Sequence, residues 1–155
     1  MSPRNSTESP IIVVDTREQR PFRFPGAVTK MLITGDYSVE GMEHLISLER
    51  KSLSDLLFCI GGDRERFERE LQRLSQMRYP AIVVEASLAE ALRGTRYTDL
   101  HPSQILGSLV SWSIKLRIPI WFCDNRDLAQ TVTARLLSKA AKYAGESELL
   151  PAIEE

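Results

Sequence analysis

The sequence predicts an α/β domain layered around a central mixed β-sheet with flanking helices, and three observations carry that expectation. Ile11-Ile12-Val13-Val14 and Ala81-Ile82-Val83-Val84 are continuous apolar runs of strand length, the pattern of strands buried on both faces. Leu53, Leu56, Leu57 and Ile60 recur at helical spacing, and so do Phe67, Leu71 and Leu74, so amphipathic helices follow Lys51. Strands come first and then alternate with helices, the order of an α/β layered architecture.

Taken in order, residues 1–10 lack apolar periodicity and read as a disordered arm. The first strand, Ile11 to Val14, runs into Asp15. A carboxylate ending a buried strand belongs in a cleft or at an edge where something satisfies it. Gln19 to Gly26 carries two prolines and a glycine and reads as a loop. In it Arg20, Phe22, Arg23 and Phe24 interleave cations with aromatics, a combination suited to phosphate and base, although core plugs are the preferred reading of both phenylalanines. Val28 to Ile33 is the second strand, Gly35-Asp36 a turn, and Tyr37 to Val39 the third strand, Tyr37 reading as packed. His44 to Leu48 is a strand that runs into Glu49-Arg50-Lys51.

Ser52 caps the first helix, with Asp55 in its first turn where negative charge suits the helix dipole. Gly61-Gly62 breaks it and Asp63 begins the next, whose many charges read mainly as a solvated face. The strand Ala81 to Val84 ends at Glu85, read as a hydrogen-bonding group. Ser87 and Glu90 form a capping box for a short helix that Gly94 closes. The loop from Arg93 to His101, with Arg96 and Tyr97, has no strong pattern. A helix over Pro102 to Arg117 with Ile105, Leu109, Trp112 and Leu116 inward, an edge strand over Ile118 to Cys123, and a helix with Leu128, Val132, Leu136 and Ala140 inward complete the domain at 145. Gly145 is the expected stop, leaving an acidic tail over 146–155.

Composition narrows the function. At 155 residues, 43% hydrophobic and 26% charged, the chain is one globular domain. It has no apolar run long enough for a membrane and a polar start instead of a signal peptide, so the cytoplasm is expected. Cys59 and Cys123 lack CxxC spacing and read as buried thiols. A net charge of −1 gives no global attraction to nucleic acid, so DNA binding would need local arginines, a metal or a second subunit.

The chemistry concentrates in Gly35 to Asp55. Side chains on a strand alternate, so Glu49 and Lys51 share one face and Arg50 takes the other. If the turn at Asp36 brings its carboxylate beside Glu49, two such groups about 4 Å apart repel by roughly 4 kcal/mol, and the pair must share a proton or hold a cation. Oxygen ligands select Mg²⁺ or Mn²⁺. A hard divalent ion beside an ammonium is equipment for phosphodiester hydrolysis.

Gly35-Asp36, a twelve-residue spacer, Glu49-Arg50-Lys51, three residues and then Asp55, preceded by Val14-Asp15-Thr16-Arg17-Glu18, resembles the nuclease domain of the xeroderma pigmentosum group F (XPF) family of structure-specific endonucleases. The resemblance runs from about Ile11 to about Tyr143 and is nearest the stand-alone bacterial and phage type. It implies a restriction-endonuclease-like fold and Mg²⁺-dependent cleavage of branched, flapped or junction DNA, with Mn²⁺ able to substitute. It also implies a catalytic set of Asp36, Glu49, Lys51, Arg50, Asp15, Glu18 and Asp55. Asp36 and Glu49 would hold metal, with Asp15 assisting directly or through water and Lys51 orienting the attacking water. Arg50 would brace the site or reach a phosphate, its carbonyl being a further candidate ligand. Arg17, Arg20 and Arg64 are the expected DNA contacts. A homodimer through the last two helices and the strand between them is implied, for which Trp112, Trp121 and Phe122 are interface or core residues. The alternative is a non-catalytic DNA-binding or dimerisation partner with the same fold; its expected degraded motifs are not seen here. A purely structural module leaves carboxylates at the ends of apolar strands unexplained.

Overall fold

The computed structural model describes residues 9–94 and 98–149. The expected arm up to residue 8, Arg96, Tyr97 and the tail from residue 150 lie outside them. Six strands form one sheet: β1 (Ile12–Asp15), β2 (Val28–Lys30), β3 (Tyr37–Val39), β4 (Ile46–Lys51), β5 (Tyr79–Val84) and β6 (Ile120–Phe122). Their order is β2-β1-β3-β4-β5-β6. The β1–β3 and β3–β4 pairs are antiparallel, and β1–β2, β4–β5 and β5–β6 are parallel, so the sheet is mixed as predicted. The helices are α1 (Leu53–Ile60), α2 (Arg64–Leu74), α3 (Leu88–Arg93), α4 (Pro102–Leu116) and α5 (Arg126–Leu149). No helix among the described residues is long and apolar enough to cross a membrane.

Alternation of side chains divides the sheet between two cores. Ile12, Val14, Tyr37, Val39, Ile46, Leu48, Ala81 and Val83 pack with Ala129, Leu137 and Ala140 of α5. Ile82 and Val84 pack on the other face with α1, α2 and α4, through residues such as Leu57, Phe67, Leu71, Ile105 and Trp112. The parity also sorts the polar residues. Asp15 follows Val14, Asp36 precedes Tyr37, and Glu49 and Lys51 alternate with Leu48 and Arg50, so the acids and the lysine fall on the α2 side.

Local capping agrees with the sequence at α1, where Ser52 Oγ accepts from the Asp55 N–H, and at α3, where the Ser87–Glu90 box is complete. Asp63 precedes α2 without a side-chain cap bond and pairs with Arg66 instead. Cys59 and Cys123 are buried free thiols.

Three expectations are corrected. β2 stops at Lys30 rather than Ile33, because the Leu32 N–H leaves the ladder to donate to Asp15 Oδ1 at 2.8 Å. Helix α5 runs through Gly145 to Leu149, since one glycine costs only about 1 kcal/mol in a helix interior. Its fully buried stripe is Ala129, Thr133, Leu137, Ala140 and Ala144; of the expected residues Ala140 belongs to it, Val132 and Leu136 pack partly against the same core, and Leu128 is 41% exposed. Small side chains let the helix lie close to the sheet, and periodicity alone does not choose between two adjacent apolar stripes. Trp112 is core, 4% exposed with its ring edge-on to Phe67. Phe122 packs partly against the same core, while Trp121 stands 47% exposed on the edge strand β6.

The turn before β3 is tightly specified. Gly35 has φ +77°, and a Cβ there would collide with the Ser47 side chain, which donates to the Thr34 carbonyl at 2.7 Å. Immediately after it, the Asp36 N–H donates to the Leu48 carbonyl and the Asp36 carbonyl accepts from the Asp15 N–H, both at 2.8 Å. Gly35→Ala therefore combines backbone strain with overpacking, and is expected to lower unfolding free energy by about 2–4 kcal/mol in urea titration. A loss within ~0.5 kcal/mol, the size of an ordinary surface change, contradicts this reading of the turn.

Candidate active site

A cleft of about 240 Å³ opens between this sheet face and α2. Asp15, Asp36 and Glu49 line its sheet side with Arg17, Ile33 and Thr34, while Arg66, Phe67, Glu70 and Arg73 line the helix side. Asp15, Asp36 and Glu49 come from the ends of three strands or the turn beside them, which is why residues so far apart in sequence meet here.

Asp36 and Glu49 are the frustrated pair. Asp36 Oδ2 accepts the Arg50 N–H at 2.8 Å, and no cationic side chain pairs with it among the described residues. Burial first and the charge of Glu49 second push its pKa up to about 8. Burial also raises Glu49, against the opposing pull of Lys51, whose ammonium lies 3.2 Å from Glu49 Oε1. Burial works against the Lys51 charge, but Glu49 outweighs it and raises the lysine's pKa. The ammonium is further held 5.0 Å from the centre of the Phe67 ring.

Asp15 is satisfied by contrast. Its oxygens accept from Arg17 Nε at 2.8 Å, Arg17 Nη2 at 3.3 Å, the Arg17 N–H at 3.2 Å and the Leu32 N–H at 2.8 Å. Burial would raise its pKa, but these bonds lower it.

Arg50 occupies the opposite face of β4, as alternation predicted. Its Nε and Nη2 bond Glu18 at 3.1 and 3.0 Å, and its Nη1 bonds Glu85 at 2.9 Å. Glu18 is desolvated by burial, yet the Arg50 bonds keep its pKa low. Arg126, at the start of α5, also reaches Glu85 at 2.9 Å and donates to the Arg20 and Pro21 carbonyls. Both guanidinium groups lie over the Phe22 ring, which stacks on Tyr37; Tyr37 Oη in turn accepts the Phe22 N–H at 2.8 Å. Arg50 and Glu18 are thus bracing groups outside the cleft, Glu85 is the expected hydrogen-bonding strand end, and Tyr37 and Phe22 are packed.

The other proposed residues divide. Arg17 lies at the cleft, and Arg20 is exposed in the adjoining loop. Asp55 sits exposed in the first turn of α1, outside the cleft lining, as a dipole-favoured helix residue. Arg64 is not at the cleft. It bonds Ser108 Oγ at 2.7 Å and Glu68 at 3.0 Å, and lies 5.0 Å over the Trp112 ring in a separate groove against α4. Its place is taken by Arg66 and Arg73, which the sequence reading left on the solvated face. Arg66, Glu70 and Arg73 recur at helical spacing directly beside Phe67, Leu71 and Leu74, and that adjacency to the buried stripe marks them as cleft-facing.

The pair Asp36–Glu49 fits a divalent cation, because a buried carboxylate without a counter-charge is what such an ion relieves. Asp15 stands beside them with its oxygens engaged. Asp36 is the one of the three without a cation, Glu49 shares its charge with Lys51, and no group of three or more acid, histidine or cysteine ligands is assembled among the described residues. Mg²⁺ commonly takes one or two carboxylates and fills its remaining positions with water or substrate phosphate.

A sequence model of the ERCC4 domain matches residues 14–136. No curated protein sequence matches the chain. Among solved structures, XPF from Aeropyrum pernix superposes with a TM-score of 0.67 at 19% identity, over 90% of this chain and 69% of that one. XPF from Aeropyrum pernix in complex with DNA gives 0.63 at 21% identity, over 94% and 70% respectively. The fold is that of the XPF nuclease, restriction-endonuclease-like.

The Asp36–Glu49 repulsion predicts a pH signature in metal-free buffer. The folded state binds a proton at Asp36 that the unfolded state releases near pH 4, so stability contributed by the protonated pair is present at low pH and falls as pH rises toward 8. Asp36→Asn removes that charge while keeping an oxygen for the Arg50 N–H. It is expected to flatten the fall and to stabilise the metal-free protein at pH 8 by at least ~1 kcal/mol in denaturant titrations. A variant that is less stable than the parent at pH 8 contradicts the assignment.

Proposed function

The chain belongs to the ERCC4 domain family of structure-specific DNA endonucleases, and from that premise we propose that it is itself an active, divalent-metal-dependent endodeoxyribonuclease for branched, flapped or junction DNA. The observation that carries this reading is the cation-free Asp36 carboxylate beside Glu49 in the cleft, with the Lys51 ammonium 3.2 Å from Glu49. Asp36 and Glu49 would hold Mg²⁺, with Mn²⁺ as a substitute, and Asp15 would reach the ion through water. Bound there, a divalent cation supplies Lewis acidity toward a phosphodiester.

The remaining work falls to the protein. Lys51 orients the attacking water and balances charge that develops on the phosphate, its position fixed by Glu49 and the Phe67 ring. Arg17 from the sheet side and Arg66 and Arg73 from α2 flank the acids, where they meet the phosphates on either side of the scissile bond. Arg73 makes no ion pair among the described residues, so it is free to do so. Local arginines thereby answer the overall charge of −1.

We further propose a homodimer through α4, β6 and α5. Leu106, Val110 and Ile114 form an exposed apolar row at i, i+4 and i+8 on α4, and Trp121 on β6 and Leu128 on α5 are exposed too.

Asp36→Asn and Lys51→Ala are each expected to slow Mg²⁺-dependent cleavage of a labelled flap duplex by about 10²-fold or more while the protein stays folded. Mn²⁺ titration should raise the melting temperature of the parent and not of Asp36→Asn. Parental cutting by either variant refutes the assignment, and a folded parent that binds DNA without cutting it identifies a non-catalytic subunit. For the dimer, Ile114→Glu is expected to shift sedimentation to the monomer; a parent already monomeric at tens of micromolar overturns that arm.

A further inference from the structure

Two large apolar side chains stand almost fully in solvent beside the cleft, Ile33 on its lining and Met31 two residues before it. Met31 is 78% exposed and Ile33 is 86% exposed, and Ile33 lines the cleft with Asp36 and Glu49. Between them Leu32 is buried, its N–H donating to Asp15 Oδ1 and its carbonyl accepting from Arg17 Nη2, both at 2.8 Å. The preceding carbonyl, of Lys30, accepts the Thr16 N–H at 3.1 Å. The segment is therefore pinned at its centre to the same aspartate and arginine that build the cleft wall, and it displays Met31 and Ile33 outward on either side of that pin.

Isolated exposed hydrophobics are ordinary. A pair presented by an anchored segment at the mouth of a charged cleft is not, because its exposure gains nothing within this chain. Two side chains cover far less than the roughly 800 Å² that each partner contributes to a stable protein interface. They also follow β2, at the opposite sheet edge from β6 and the apolar face of α4. Their size suits the face of a single nucleobase. Arg17 beside them, its side chain 64% exposed, offers a cation to the adjoining phosphate.

We propose that Met31 and Ile33 form an apolar wedge that packs against an unpaired or terminal nucleobase at the branch point, holding the duplex open beside Asp36 and Glu49. This rests on the DNA-cleaving reading of the cleft and adds to it the element that recognises the discontinuity in the duplex. Apolar side chains inserted at a base step unstack it, and stacking on a base tolerates any sequence, so recognition is of structure and not of sequence.

The test places 2-aminopurine at the branch point of a flap duplex, with Ca²⁺ replacing Mg²⁺ for the binding measurements. The parent is expected to raise the probe's fluorescence at least about twofold as the base unstacks. Met31→Ser/Ile33→Ser should remove that rise and cut the flap about tenfold more slowly in Mg²⁺, with Kd for an unbranched duplex of equal length within about twofold of the parent. Because both side chains are solvent-facing and Leu32 is untouched, the variant keeps its fold, which an unchanged melting temperature verifies. A fluorescence rise and cutting rate equal to the parent's in the double variant overturn the wedge and leave the nuclease assignment standing. Equal loss of binding to flap and unbranched duplex overturns it as well, since that is a general phosphate or backbone contact. A parent that neither binds nor cuts any duplex removes the underlying reading and the wedge with it.

Discussion

The guanidinium of Arg50, clamped between Glu18 and Glu85, is the interaction on which the rest of the site depends. It joins the loop after β1, the end of β4 and the end of β5, and Arg126 extends it to the start of α5. Two carboxylates meet two guanidinium groups there, with the Phe22 ring beneath both cations. Leaving one partner of a buried pair uncompensated costs about 3–5 kcal/mol, so the network holds as a unit or fails as one. Because β4 alternates, fixing Arg50 on the α5 side obliges Glu49 and Lys51 to face α2, with Glu49 in the cleft.

The two faces of β4 carry opposite electrostatic states. On the Arg50 side each carboxylate has a cation, and the Arg50 bonds hold Glu18 in its charged form. On the cleft side Asp36 has a backbone N–H and no cation, and its carboxyl is pushed toward protonation at neutral pH. A fold built only for stability would pair both faces. Under the proposed function, the Asp36 carboxylate left without a cation is where a metal ion and a phosphodiester would recover the energy that burial withholds, the expected location of a locally unfavourable choice. The Phe67 ring of α2 lines the cleft and meets the Lys51 ammonium, so the helix that completes the hydrophobic core also sets the ammonium.

Much of this was legible in order along the chain. The apolar runs gave the central strands, the helical stripes gave α1 and α2, and Ser52 and Ser87 marked helix starts where the structure has them. The opposition of Arg50 to Glu49 and Lys51 follows from strand periodicity alone. Where the reading went astray, two local patterns competed. Arg64 and Arg66 are two residues apart on α2 and equally basic, but the twist of the helix turns Arg64 to Ser108 and Trp112 and Arg66 to the cleft. Along α5, Ala129, Thr133 and Leu137 are buried, Val132 and Leu136 beside them pack at the margin of the same core, and Leu128 is left exposed.

By itself, the sequence determined where the strands lie in the chain, which of them end in acids, and which side of β4 each charged group takes, because these depend on backbone periodicities of two and 3.6 residues. Tertiary structure alone decided that Asp15 spends its oxygens on Arg17 and Leu32 while Asp36 keeps its charge uncompensated, that Arg126 joins Glu85 from more than forty residues away, and that Met31 and Ile33 face solvent instead of extending β2. Those outcomes turn on which groups are left with a hydrogen-bond or ionic partner once distant segments meet, and a linear pattern carries no record of that competition.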